Sequence, residues 1–257
     1  YLINPFERTW HFTEDKQHHA LPLFEELLNA RSPERPLMAW VHLYMMHAPY
    51  FAGEKRMTRR DGSAHERYRM ALQTLDAHLK SLIGSLEKRG ALDHTLIAIT
   101  SDHGEGLGDH NVDGHGSSVF EEQVRTPFLI YDPRLKERPL SDRTHREVMG
   151  NVDLVPTLTT LAGLPSNPLD HGHSLTSLLL RSQEEKLAWP YSYALANGNA
   201  GTRGVVTQAR HKLTLSPRRG VSSLYDLGAD PRERHDVSGG LPEVARSLTL
   251  ELATLLP

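Results

Sequence analysis

The chain has 257 residues, with 29 Lys and Arg against 32 Asp and Glu and a net charge of −3. With 38% hydrophobic and 24% charged residues it can bury a sizeable core, which excludes wholesale disorder, and its mild acidity argues against nucleic-acid binding by bulk charge. No apolar run approaches the roughly 18 residues of a membrane span. The absence of cysteine excludes disulfides, Cys–zinc sites and thiol nucleophiles within these residues, and leaves the compartment open. Histidine is abundant, at 16 residues, and several cluster. The opening Tyr1-Leu2-Ile3-Asn4-Pro5 carries neither an initiator Met nor a signal peptide, and reads as the interior of a longer protein or a processed product.

In chain order, Leu21 to Ala30 reads as a short amphipathic helix ended by Ser32-Pro33. Leu37 to Met45 (LMAWVHLYM), short, apolar and rich in Trp, Val and Tyr, predicts a buried strand. A polar loop follows, opened by Ala48-Pro49. Tyr68, Leu72, Leu75, Leu79, Leu82 and Leu86 fall on one face of a helix that Gly90 would stop. Thr95 to Thr100 (TLIAIT) predicts a second buried strand. Strand, helix and strand together make a crossover unit and hence a parallel sheet. Pro127 to Tyr131 predicts a third strand, and Asp153 to Ala162 a helix closed by Gly163. Beyond about residue 185, short β-prone runs (YSYALA, GVVTQA, HKLTLS, SSLYDL) alternate with turn residues and predict an antiparallel sheet. Leu241 to Leu256 closes the chain as a helix. A subdomain boundary is expected near 183–190, dividing the chain into 1–185 and 186–257.

The chemistry concentrates in TSDHGEGLGDHNVDGHG, residues 100–116. Asp102 and His103 directly follow a strand, and ligand sites of open α/β sheets lie beyond the carboxyl ends of strands. Carboxylate oxygen and imidazole nitrogen suit Zn, Mn or a similar divalent ion, and one or two further ligands must come from elsewhere. Glycines 104, 106, 108 and 114 let the backbone turn tightly and approach a ligand, and His110 and His115 return within the same loop. The competing structural reading is a capped loop. His47 follows the first strand, in a loop that Pro49 stiffens. His42, mid-strand, is expected to pack. Asp153, Asp226, Asp230 and Arg232 read as caps and surface pairs.

SDHGEGLGDH followed by GHGSSVFEEQVRTPFLIYDP closely resembles the sulfatase branch of the alkaline-phosphatase superfamily. Four further segments resemble that family in its order: HLYMMHAPY, the long helix leading into the SDHGE strand, NVDLVPTLTTLAGLPSNPLDHGHSL, and SLYDLGADPRERHDVS. The resemblance spans nearly the whole chain. It implies an α/β fold, an alkaline-phosphatase-like mostly parallel sheet flanked by helices, with a smaller C-terminal antiparallel sheet plus helix. It implies that Asp102 and His103 bind one divalent metal ion (Ca, Mn or Zn), and that His47 and His115 contact the transferring sulfate or phosphate group or its leaving group. A His at 115, where the family holds Lys or His, is closer to the phosphonate- and phosphate-handling and lipid head-group transferase branches.

The family's nucleophile, in a Cys/Ser-x-Pro-x-Arg motif or as a lone Thr or Ser, finds no match. Ser166-Asn167-Pro168 has Asp170 where Arg is needed, and Ser32-Pro33-Glu34-Arg35 has the wrong spacing. The expectation is therefore the C-terminal part of the catalytic domain of a metal-dependent sulfuric- or phosphoric-ester hydrolase, inactive by itself. The alternatives are a phosphoethanolamine-type head-group transferase and a non-catalytic binding remnant. The resemblance further implies a small-molecule, glycan or lipid ester as substrate and a periplasmic or cell-envelope location. Any membrane contact would come through an N-terminal part not included here.

Overall fold

The structure is a computed structural model describing residues 20–32, 34–137, 144–180, 193–196, 201–207, 209–216 and 220–255. The boundary expected at 183–190 lies outside them. The chain divides into two compact units, residues 1–94 and 95–257.

In the first unit, α1 (Ala20–Ala30) is followed by a two-stranded ribbon, β1 (Phe51–Ala52) and β2 (Lys55–Arg56), and by the long helix α2 (Ala64–Lys88). α2 begins a turn earlier than its leucine spacing predicts because Ser63 and Glu66 form a capping box. The Ser63 hydroxyl accepts the Glu66 N–H at 3.3 Å, and the Glu66 carboxylate accepts the Ser63 N–H at 2.7 Å. Gly90, at φ +62°, ends it. Ser85 donates to the Glu25 carboxylate at 2.8 Å, joining α2 to α1. The ribbon meets α2 where the Gly53 N–H donates to the Thr74 hydroxyl at 3.1 Å.

Residues 37–45 carry no strand, correcting the expectation for LMAWVHLYM. Met38 and Trp40 are 72% and 64% exposed. A β-prone sequence becomes a strand only where a neighbour supplies hydrogen-bond partners, and no ladder forms along this segment among the described residues. The predicted crossover is accordingly not formed there, and every strand pair among the described residues is antiparallel.

The second unit begins with β3 (Ile97–Thr100), which leads into a loop carrying the ribbon β4 (Gly106–Leu107) and β5 (Asp113–Gly114). The one-turn helix α3 (Glu121–Val124) follows, then β6 (Phe128–Tyr131). β6 pairs antiparallel with β3, Thr100 opposite Phe128, so residues 101–127 leave and re-enter at one end of a two-stranded stem. Next come α4 (Leu154–Leu161) and α5 (Thr176–Leu180). The buried Asp153 carboxylate accepts the Gly150 N–H at 2.9 Å and the His173 N–H at 2.8 Å, tying the start of α4 to the turn before α5.

The strands β7 (Tyr193–Ala196), β8 (Arg203–Val206), β9 (His211–Ser216) and β10 (Val221–Asp226) form an antiparallel meander, and α6 (Pro242–Leu255) closes the chain, as the alternating runs predict. The period of two divides the sheet's chemistry. Val205, Leu213 and Leu224 bury one face against Leu248 and Leu252 of α6. Val206 and Tyr225 belong to a second apolar cluster, packed with Phe120. Lys212 pairs in register with both Val206 and Tyr225, and is fully buried. Its ammonium lies 2.9 Å from a Glu121 carboxylate oxygen and 3.0 Å from a Glu233 oxygen. The other Glu233 oxygen accepts the Glu121 N–H at 2.6 Å. Burial pushes the Glu233 carboxyl up, against the opposing pull of Lys212 and the Glu121 N–H.

His110 completes this junction. Its Nδ1 lies 2.8 Å from the Glu122 carboxylate and its Nε2 lies 3.1 Å from the Glu233 carbonyl oxygen, while the ring stacks on Phe120 at 3.8 Å. Both neighbours are acceptors, so the ring satisfies both at once only as imidazolium, the form this geometry favours. Burial opposes that charge. The Glu122 bond, the Glu233 carbonyl and both carboxylates outweigh it, and the His110 pKa is raised.

Two outcomes follow. Lys212→Met, which strands the buried Glu233 carboxylate, lowers stability by about 3–5 kcal/mol in urea unfolding, and adding Glu233→Gln restores part of the loss. His110, with its raised folded pKa, contributes stability that is complete below the ring's ordinary value of about 6.5 and is lost as pH rises through the folded value. The difference in Tm between wild type and His110→Ala is therefore largest in mild acid and shrinks on the alkaline side.

Candidate active site

The loop springs from a pinned strand end. The Thr100 hydroxyl donates to the Pro127 carbonyl at 2.9 Å, and the Asn151 amide donates to the Ser101 carbonyl at 2.8 Å. Asp102 and His103 emerge immediately afterwards. One Asp102 oxygen accepts the His103 N–H at 3.0 Å. His103 Nδ1 lies 2.8 Å from the Gly104 carbonyl, an acceptor, so Nδ1 donates and the basic lone pair sits on Nε2. That Nε2 lies 3.6 Å from the second Asp102 oxygen, with the two side chains 40% and 72% exposed.

His115 is brought back by the β4–β5 ribbon. Gly106 opposes Gly114 and Leu107 opposes Asp113, so extending the register by one step sets Glu105 opposite His115. The Glu105 carboxylate, 6% exposed, lies 3.1 Å from His115 Nδ1. The His103 and His115 rings stack at 4.0 Å with an interplanar angle of 26°.

α3 holds both ends of this loop. The Gly104 N–H donates to the Gln123 carbonyl at 2.8 Å. The buried Gln123 amide accepts from the Ser117 and Ser118 N–H groups at 3.2 and 2.9 Å, and donates to the Gly114 carbonyl at 3.0 Å. A Cβ on Gly104 would stand 2.2 Å from the Glu122 carbonyl oxygen, so this glycine is required by the packing of the loop on α3. The glycine at 114 (φ +76°) supplies a left-handed turn.

His47 belongs to the first unit. Its N–H donates to the Tyr44 carbonyl at 2.9 Å, its carbonyl accepts the Tyr50 N–H at 2.8 Å, and its ring meets Tyr44 edge-on at 6.2 Å. Asp102, His103 and His115 are thus brought together within the second unit. Sequence reasoning missed Glu105, Gln123 and Asn151. Glu105 lay inside the quoted SDHGE string, and its signal was the two-residue period of the ribbon that follows.

Asp102 and His103 fit a divalent ion as two donors of a set. A backbone carbonyl fixes the imidazole tautomer, the usual way of directing a ligating nitrogen. No group of three or more His, Asp or Glu able to share one ion occurs among the described residues, so this pair is two donors short of a four-ligand shell. No helix among the described residues is long and apolar enough to cross a membrane. Of the residues read as caps, Asp226 accepts the Gly228 N–H at 2.8 Å and Asp230 the Arg234 N–H at 2.7 Å.

Gln123→Leu leaves the Gly114 carbonyl and two serine amides without their partner. It is expected to lower stability by about 1–3 kcal/mol and to expose residues 114–118 to limited proteolysis, read by the cleavage sites.

A family model described as Sulfatase matches residues 4–164, and one described as N-sulphoglucosamine sulphohydrolase, C-terminal, matches residues 115–255. Arylsulfatase K of Gallus gallus is 32% identical over 200 residues, covering 74% of this chain and 36% of that protein. The extracellular sulfatase SULF-1 homolog of Drosophila melanogaster is 33% identical over 149 residues, covering 57% of this chain and 13% of that protein. A protein solved in complex with its substrate D-glucosamine-2-N,6-O-disulfate superposes with a TM-score of 0.63 at 27% identity, covering 74% of this chain and 39% of that one. The chain thus spans well under half the length of each of these relatives. With its mixed helices and sheets, small antiparallel sheet and C-terminal helix, it has the alkaline-phosphatase-like α/β fold and belongs to the sulfatase family of the alkaline-phosphatase superfamily.

Proposed function

We propose that this chain supplies part of the active site of a metal-dependent sulfuric-ester hydrolase acting on a sulfated glycan or small molecule, with the nucleophile and the remaining ligands contributed by other residues of the full-length protein. The observation that carries the reading is the loop at 102–115. Asp102 Oδ2 and His103 Nε2 lie side by side 3.6 Å apart, and His115 stacks on His103. Asp102 and His103 would hold the ion, which when bound lowers the pKa of a nucleophile and neutralises charge on the sulfuryl oxygens. His115 and His47 would donate hydrogen bonds to oxygens whose charge grows in the transition state. Either could protonate the leaving oxygen, because imidazole titrates near neutral pH. Residues 1–185 would belong to the catalytic domain and 186–257 to its C-terminal antiparallel subdomain.

The glucosamine disulfate bound by the solved relative supports a sulfated sugar as substrate. The extracellular Drosophila relative supports a periplasmic or cell-envelope location.

Purified full-length protein is expected to hydrolyse sulfate esters faster than matched phosphate esters, to lose turnover on chelation and to regain it with one divalent metal. His115→Ala is expected to lower kcat by about 100-fold or more. Turnover unaffected by both chelation and Asp102→Asn would sink the metal assignment, and a preference for phosphate esters would sink the sulfatase assignment.

A further inference from the structure

We propose that Glu105 is the positioning residue for His115, fixing its tautomer and rotamer so that Nε2 is the atom presented to the sulfuryl group. The proposal rests on the reading of His115 as catalytic and goes beyond it in naming what aims the ring.

The argument starts from backbone register. β4 and β5 form a ribbon of two residue pairs, Gly106 with Gly114 and Leu107 with Asp113. The strands approach so closely that a Cβ on Gly106 would lie 2.7 Å from the Val112 carbonyl oxygen and 2.9 Å from that of Gly114. The next pair along, Glu105 and His115, therefore faces across the ribbon at cross-strand distance. The carboxylate is nearly buried and reaches Nδ1 at 3.1 Å, while the His115 side chain remains 31% exposed. A carboxylate sheltered beside an imidazole lies where it can set the ring.

A carboxylate accepts and cannot donate. Nδ1 must carry the proton, and the basic position of the neutral ring is Nε2. His103 is treated in the same way, with Nδ1 on the Gly104 carbonyl at 2.8 Å. Two consecutive residues, Gly104 and Glu105, thus supply the acceptors for two stacked rings and give both the same tautomer. An imidazole without such a partner favours the opposite tautomer, with the proton on Nε2, and can rotate about χ1 and χ2. Donation to a sulfuryl or leaving oxygen takes place from Nε2 once it too carries a proton, with Nδ1–H still on Glu105, and loss of Glu105 would loosen the ring and turn that nitrogen away. Ser117, Ser118 and Gly114 are held by Gln123, so the backbone around His115 stays fixed when the carboxylate is removed.

The test uses the full-length protein and a chromogenic aryl sulfate. Glu105→Ala is expected to lower kcat by about 10- to 100-fold with KM little changed, as for other residues that orient a site imidazole. Glu105→Gln, which keeps a carbonyl oxygen at the same reach, recovers most of the loss. In a His115→Ala background Glu105→Ala has no further effect, since its action passes through that ring. Independently of turnover, 15N-histidine NMR shows the His115 ring with its proton on Nδ1 in the wild type and shifted toward Nε2 in Glu105→Ala. If that variant does not fold, Glu105→Met takes its place. An undiminished effect of Glu105→Ala in the His115→Ala background, or an unchanged tautomer, overturns the proposal. An inactive His115→Ala beside a fully active Glu105→Ala overturns this proposal alone. A fully active His115→Ala overturns the catalytic reading of His115, and this proposal with it.

Discussion

The second unit depends on a single buried ammonium. Lys212 is sequestered at the centre of the C-terminal sheet, and its cost of desolvation is met by two carboxylates from different parts of the chain, Glu121 and Glu233. Neither carboxylate is a passive counter-ion. Glu233 also accepts the first N–H of α3, which has no partner within that helix, and its own carbonyl accepts from His110. A buried charge thereby fixes where a one-turn helix begins, and that helix fixes the loop of candidate site residues.

Each residue along α3 has a different task. Glu121 faces the sheet, Glu122 takes the His110 ring, and Gln123 binds the two ends of the loop through its backbone and its side chain. A helix this short has little stability of its own. Its geometry is imposed from outside by the ion cluster and by Phe120, which stacks on His110 and joins the apolar cluster of Val206 and Tyr225. The rigidity needed to hold His103 and His115 in contact is therefore borrowed from the C-terminal sheet.

Much of this was legible in the sequence wherever local pattern and local partners coincide. The leucine spacing of α2, the alternation in β8 to β10, the closing helix and the adjacency of Asp102 and His103 are all local signals. Residues 37–45 show the opposite case. Their composition favours a strand, but a strand is a relation between two segments, and the partner cannot be read from the segment itself. Glu105, Gln123 and Lys212 were missed for a related reason. Each acts across a distance in sequence that only register or tertiary packing specifies, and a charged residue in a β-prone run such as HKLTLS ordinarily reads as solvent-facing.

The neighbours Lys212 and Leu213 carry a consequence for how the sheet finds its alignment. One meets carboxylates, the other an apolar helix. Sliding β9 by one residue would exchange them, driving an ammonium into hydrocarbon and turning a leucine toward two abandoned anions. Misalignment is thus penalised twice, by unlike forces on opposite surfaces. The strand works as a parity check, and a single-residue insertion or deletion within it should be far less tolerable than any conservative replacement at either position.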